Sequence, residues 1–394
     1  MPNSRIILPV IVLAQFCCTS VWFAGNAVMP DLVNAFHLNE RALGHLTSAV
    51  QFGFITGTLV FALFSIADRI SPSKVFFVSA FIASVFNLAV MLEGNNLDSL
   101  LMFRYLTGFF LAGIYPVGMK IAADYFQQGL GKSLGFLVGA LVVGTAFPHL
   151  LNGLSTKIPW RFILMITSSL ALTGGILMIL LVPNGPFRKR NSKVDLLAFF
   201  KVFKNRNFRS AAFGYFGHMW ELYAFWTFVP FILITYLKRY PDSSIHVSFY
   251  SFLIISSGGL ACVLGGYLSK YVGTKKTAGI ALLCSGFCCL ISPLVFMIHS
   301  TTVLISFLVF WGIVVVADSP LFSTLVANNT EAESKGTALT IVNCIGFSIT
   351  IISIQLLNFL RELMNPVYLF LLLSIGPVLG LFALFEKKKE KTVT

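Results

Sequence analysis

The sequence predicts an all-α membrane protein of twelve transmembrane helices in two pseudo-symmetric six-helix bundles. Three observations carry that expectation. Of 394 residues, 57% are hydrophobic and only 11% charged, with a mean hydropathy of +0.85, so a water-soluble domain would lack polar surface to cover itself. Apolar runs of about 18 residues or more, long enough to cross a bilayer as helices, recur along the whole chain. They do not alternate as barrel strands would, and one long hydrophilic connection divides them six and six.

The runs lie near 6–29, 43–66, 75–93, 99–123, 131–154, 161–182, 211–237, 247–269, 277–298, 302–327, 337–360 and 367–385. The first follows Arg5 as a signal peptide's apolar region would. It is too long for one and has no Ala-x-Ala site before the polar 31–42 segment, so it reads as a span. After the sixth comes PNGPFRKRNSKVDLLAFFKVFKNRNFR at 183–209, opening on Pro and Gly breakers. The expected organisation is an N-terminal bundle at 1–182, a linker at 183–210, and a C-terminal bundle with a basic tail at 211–394. Within the linker, 194–203 has helical periodicity and predicts a short amphipathic helix. The loops ADRISPSK (67–74) and SKYVGTKK (269–276) occupy the same place in each half, which argues for duplication.

The net charge of +13 is explained by topology. With the amino terminus in the cytoplasm, 20 of the 28 Lys and Arg fall in cytoplasmic segments, 6 in external ones, and 2 (Arg104 and Lys120) within spans. This positive-inside bias places both termini in the cytoplasm and the protein in the inner membrane. Arg188, Lys189, Arg190, Lys193, Lys201, Lys204, Arg206, Arg209 and the basic residues at 387–391 then meet anionic lipid headgroups, and nucleic acid is not an expected partner. All seven cysteines (Cys17, Cys18, Cys262, Cys284, Cys288, Cys289, Cys344) fall within spans, as small packing residues. GTKK at 273–276 lacks the spacing of a phosphate loop, and His-x-x-Glu lacks the second histidine of a metalloprotease. No enzyme activity, cofactor or resident metal is expected, and the protein is expected to be a monomer.

Six spans, a basic loop, six spans and cytoplasmic termini resemble the major facilitator superfamily of secondary transporters over essentially the whole chain. ADRISPSK is similar to that family's loop between the second and third spans. It keeps Asp68, Arg69 and Lys74, with Ser71 and Pro72 where glycine and variable residues are usual. The resemblance implies a gating role for Asp68, Arg69 and Lys74 in closing the cytoplasmic side. RYLTGFFLAG (104–113) is similar to the family's Arg-x-x-x-Gly pattern, with Arg104 and Gly108 in register. GFLVGALVVGTAFPHLL (135–151) resembles its glycine-rich fifth span, ending near Pro148 without the Gly-Pro pairing of drug antiporters. GHMWELYAFW resembles a seventh span found in a bacterial group of members.

An ionisable side chain at mid-bilayer costs at least about 2.5 kcal/mol, so it normally faces a partner, a cavity or a pathway. His218 and Glu221, three residues apart on the seventh span, share a face. They can look together into a cavity between the halves and exchange protons, or simply hydrogen-bond each other. Tyr223 and Trp226 add aromatic surface nearby, while Trp220 turns away. Asp318 sits two residues before Pro320, where a kink frees backbone carbonyls. Gln51, Asn343 and Gln355 can line the same cavity or bond neighbouring helices. Arg104 can bind an anionic group, hold an acidic residue in a closed external gate, or snorkel to the interface. Lys120 and Asp124 have i,i+4 spacing for an ion pair, and His149, Asn26 and Asp31 lie at span ends.

The expected function is proton-coupled secondary active transport of a small anionic or zwitterionic solute by alternating access. Glu221, His218 and Asp318 would couple protons. Arg104, Gln51, Tyr223, Trp226, Asn343 and Gln355 would bind solute. The alternative is a divalent metal or metal-chelate transporter with His218, Glu221 and Asp318 as ligands.

Overall fold

In a bilayer every backbone N–H and C=O must be bonded within the chain, so long apolar runs have one regular option, the helix. The computed structural model describes residues 4–39, 41–126, 130–154, 158–188, 202–331 and 335–386. Eleven of its helical stretches are long and apolar enough to cross a membrane. From the second span to the twelfth they are Ala42–Leu63, Pro72–Ala89, Leu97–Tyr125, Lys132–Leu154, Trp160–Leu181, Arg206–Arg239, Val247–Val272, Thr274–Phe296, Thr301–Asn328, Lys335–Leu360 and Pro366–Phe385. The first span is the shorter apolar helix Ile6–Thr19 followed, after a break, by Ala24–Ala27 and Met29–Phe36. The sequence predicts an unbroken run that ends near 29. Instead Pro30, in the first turn where its missing N–H costs nothing, restarts the helix, and His37 ends it in the left-handed region (φ 51°). Most of the expected amphipathic helix at 194–203, and the basic tail at 387–391, lie outside the described residues.

An even number of crossings brings residues 4 and 386 to one face, the near face. Residues 37–39 and 361–365 lie at the far face. The packing repeats. The first span packs on the fifth and sixth, the second on the fourth, and the third on the sixth; likewise the seventh packs on the eleventh and twelfth, the eighth on the tenth, and the ninth on the twelfth. Two further contacts, fifth with eighth and second with eleventh, join the two sets. Glycine permits the closest approaches: a Cβ on Gly108 would lie 2.0 Å from the Val50 carbonyl oxygen, and one on Gly139 would lie 2.8 Å from that of Gly259.

The same duplication relates two helix breaks. The fourth span is interrupted at 112–114 and resumes with Pro116 in its first turn; the tenth is interrupted at Asp318 and resumes with Pro320. Proline at that place ends one helix without depriving the next of a hydrogen bond.

Candidate functional site

A small cavity lies between the two sets of spans. It measures about 30 Å³, room for roughly one water. Tyr115, Met119, Tyr215, Ser319, Ser323 and Asn343 line its nearer part, and Tyr223, Trp226 and Phe347 its farther part. No Lys, Arg, Asp or Glu is among its lining residues. Tyr215 donates to Asn343 Oδ1 at 3.1 Å across the cavity wall. Tyr223, Trp226 and Asn343 thus line this cavity, while Gln51 is fully buried with neither amide atom bonded among the described residues.

Above the cavity, rings from both sets close the path to the far face. Trp22 stacks near-parallel on Tyr223 (5.9 Å) and on Phe347 (6.0 Å), Phe54 packs on Phe347 at 4.5 Å, and Trp226 meets Tyr223 at 5.3 Å and Phe23 at 6.4 Å. Beyond them polar contacts cross both seams. Arg41 Nε donates to both Glu362 oxygens at 3.0 Å, and Asn358 donates to the Arg41 carbonyl at 3.0 Å. Gln355 donates to Gly44 O (3.0 Å) and Ser48 Oγ (2.7 Å), and Asn152 to Ser248 Oγ at 3.1 Å. Gln355 thus ties the eleventh span to the second rather than lining the cavity. Five residues before the end of the eleventh span, its amide lies at the far end of that seam and meets the first turns of the second span instead of the cavity.

At the near face, Lys120 Nζ lies 2.7 Å from Asp68 Oδ1 and 3.9 Å from Asp124 Oδ1, and Arg188 donates to the carbonyls of Asp68 and Ile70 at 2.9 and 2.8 Å. These contacts hold the loop after the second span against the fourth span and the start of the linker. Arg69 and Lys74 are exposed.

The ionisable groups of the seventh span do not act as one unit. Three residues turn a helix through about 300°, leaving His218 and Glu221 about 60° apart, enough to meet different neighbours. His218 Nδ1 lies 2.8 Å from Asp318 Oδ1, each residue 1% exposed. Glu221, also 1% exposed, points to the ninth and tenth spans, where it accepts from Trp311 Nε1 (2.6 Å), Ser285 Oγ (2.9 Å) and Cys289 Sγ (3.3 Å). Neither lines the cavity, and they do not bond each other. This corrects both readings made of the pair. His218 Nε2 and both Asp318 carboxylate oxygens are without a hydrogen bond among the described residues, so the 2.8 Å approach is a close contact of the two groups and not a formed hydrogen bond. Asp318 is also the residue at which the tenth span breaks, one position before the cavity residue Ser319.

Arg104 departs furthest from expectation. It is 1% exposed and donates to Val21 O (3.1 Å), Asn87 Oδ1 (3.2 Å) and the carbonyl of Trp22. These carbonyls lie at the break in the first span, where helix geometry leaves them without intrahelical donors. Five guanidinium donors answer that need, so Arg104 braces the first span instead of facing solute or a gate acid. Trp220 donates to Leu372 O at 3.0 Å, turned toward the twelfth span. Among the described residues no group of three His, Cys, Asp or Glu is placed to hold a metal ion, and His218, Glu221 and Asp318 do not gather as one.

Sequence reasoning missed Ser285, Cys289 and Trp311 as partners of Glu221, and Trp22, Phe54 and Phe347 as the ring cluster. Ser285 and Cys289 share one face of the ninth span at i,i+4 spacing, which was a readable signal. The phenylalanines gave none, since 40 occur in the chain.

Among curated proteins, the chain is 28% identical over 131 residues to the 4-hydroxybenzoate transporter PcaK of Acinetobacter baylyi, covering 31% of this chain and 28% of that one. It is 25% identical over 166 residues to PcaK of Pseudomonas aeruginosa, covering 40% and 35%. The chain thus aligns with only about a third of the length of these relatives. Among solved structures, the human organic anion transporter MFSD10 (TETRAN) superposes with a TM-score of 0.76 at 15% identity, covering 98% of this chain and 100% of that one. A bacterial homolog of the human lysosomal transporter Spinster, inward-facing and occupied, gives 0.71 at 16% identity, covering 98% and 97%. Those likenesses establish the fold. The Major Facilitator Superfamily model matches residues 11–354, and the chain belongs to that superfamily of membrane transporters.

Proposed function

We propose that the protein is a proton-coupled carrier for a small organic anion or zwitterion, with His218 and Asp318 as its coupling pair. The observation that carries this reading is their buried 2.8 Å contact at the break of the tenth span, beside the closed cavity. A proton gained or lost there changes the attraction between the seventh and tenth spans at the joint that positions Val316, Ser319 and Ser323 on the cavity. Proton occupancy is then linked to how the cavity wall bends. Glu221, bonded through both oxygens, holds the ninth and tenth spans to the seventh. The halves 1–182 and 211–394 rock about the fifth–eighth and second–eleventh seams, in the manner of alternating access. The positive-inside bias makes the near face cytoplasmic, in the inner membrane, so the far-face contacts close the external side. The relatives named for 4-hydroxybenzoate and for organic anions support an anionic solute.

The test is uptake into proteoliposomes under an imposed pH gradient, using labelled 4-hydroxybenzoate and a panel of labelled organic acids and amino acids. Accumulation is expected to collapse with a protonophore. Asp318→Asn should lose accumulation while keeping solute counterflow. Accumulation that ignores the protonophore, or that Asp318→Asn supports as well as wild type, would refute the coupling role.

A further inference from the structure

The ring cluster above the cavity has a composition that a mere plug does not need. Six aromatic residues meet there: Trp22 and Phe23 from the first span, Phe54 from the second, Tyr223 and Trp226 from the seventh, and Phe347 from the eleventh. Trp22 lies within 28° of parallel to Tyr223 and within 23° of parallel to Phe347, so one ring of the first half faces two rings of the second. Because the partners belong to opposite halves, separation of the halves opens a slot with flat aromatic walls.

The polar atoms of the cluster point the same way. Trp22 Nε1 and Trp226 Nε1 have no hydrogen-bond partner among the described residues, although the two side chains are 1% and 0% exposed. Indole N–H groups only donate, and buried donors are ordinarily paired. Two such donors in one aromatic cluster lack an acceptor. Gln51, one helical turn from Phe54 and fully buried, has both amide atoms unpaired. Among the described residues no charged side chain lines the cavity, so selection falls to ring shape and to the unpaired indole donors, which serve carboxylate or hydroxyl oxygens; an ammonium group would meet ring faces and leave both N–H groups unpaired.

We propose that the solute is a flat aromatic anion whose ring enters between Trp22 and the Tyr223–Phe347 pair, and whose oxygens accept from the indole N–H of Trp226, a ring turned 68° from Tyr223. This rests on the transport reading above for its being carried, but not for its being bound. The experiment is therefore a binding measurement on the purified full-length protein, by calorimetry, without a pH gradient. The probes are benzoate, cyclohexanecarboxylate (the same charge without a flat ring) and benzylammonium (the ring with a cation).

Benzoate is expected to bind about tenfold tighter than cyclohexanecarboxylate, the difference that two ring–ring contacts supply, and benzylammonium should not compete. Trp22→Leu should erase the preference. Trp22→Phe should keep it, and Trp226→Phe should keep it while weakening both anions. Equal binding of the two carboxylates, no binding of either, or competition by benzylammonium would overturn the proposal on the wild-type protein alone, whatever becomes of the variants. Benzoate preference without pH-driven accumulation would refute the transport coupling only; accumulation of a non-aromatic solute without benzoate preference would refute this proposal only.

Discussion

The fourth and tenth spans occupy equivalent places in the two halves, and both break about midway with a proline two residues after the last residue of the interruption. Their chemistry differs. The fourth breaks at Ala112, Gly113 and Ile114, with no ionisable group; the tenth breaks at Asp318, which faces His218. In the first half the most deeply buried charge among the described residues is instead Arg104, whose donors meet the carbonyls of Val21 and Trp22 and the Asn87 amide oxygen. One half uses its buried charge to fix a shape. The other keeps an acid and a base with unbonded atoms at a joint. The two halves share the break and differ in its chemistry.

The largest expected effect tests the first side of that contrast. Arg104→Met removes a buried cation's hydrogen bonds and leaves three acceptors unsatisfied at the first-span break. It should lower stability by about 3 kcal/mol or more, read as an earlier thermal unfolding transition in detergent. Asp318→Asn keeps the volume and one acceptor, so its transition should shift by less than about 1 kcal/mol while gradient-driven accumulation is lost. If Arg104→Met unfolds like wild type, or if Asp318→Asn is the less stable of the two, the contrast between a structural and a working charge fails.

How much of this was legible differs between fold and site. Twelve apolar runs, their division at 183–209 and the repeated loops were readable because hydropathy is a local property and the bilayer allows only helices. The broken first span was less so: Pro30 announces a helix start, but nothing local says that Arg104, over 80 residues away, would hold the break. His218 and Asp318 were each singled out, yet their pairing across 100 positions is a fact of packing. Glu221 and His218 were read as one unit because spacing gives a shared face but not which neighbour each side of that face meets. The far-face contacts of Arg41, Asn358 and Glu362 escaped notice because polar residues at span ends are ordinary, while Gln355 was singled out with cavity and interhelical bond both open.

Glu221→Gln separates the bracing role from the coupling role within the second half. The carboxylate accepts from Trp311, Ser285 and Cys289. An amide offers one acceptor oxygen and sets its NH₂ against one of those donors, which should cost about 1–2 kcal/mol. If His218 and Asp318 alone couple protons, the variant should still accumulate solute under a pH gradient with an unchanged pH profile. A lost gradient response at intact counterflow would bring Glu221 into the relay and move the proton path toward the ninth span.

The smallest effect is expected at the far face, where Arg41 and Glu362 are partly exposed and solvent screens their attraction. Hydrogen bonding and charge from Arg41 hold the Glu362 carboxyl below its usual range. Because that value is depressed in the folded protein, the contact's contribution is complete above the ordinary carboxylate range and is lost as pH falls through the lowered value. At neutral pH the contact is therefore intact, and acid on the far side weakens it. Cys344 is a native reporter: it is buried on the eleventh span, with its sulfur 3.9 Å from Ile55 O across the seam that this contact closes. Glu362→Gln should speed labelling of Cys344 by a membrane-impermeant maleimide by no more than about fivefold, with Cys344→Ser as the blank. Acidification or high salt should move wild type part of the way to the variant. An unchanged rate in all three conditions would mean that the Gln355, Asn358 and Asn152 hydrogen bonds close the far face without the ion pair.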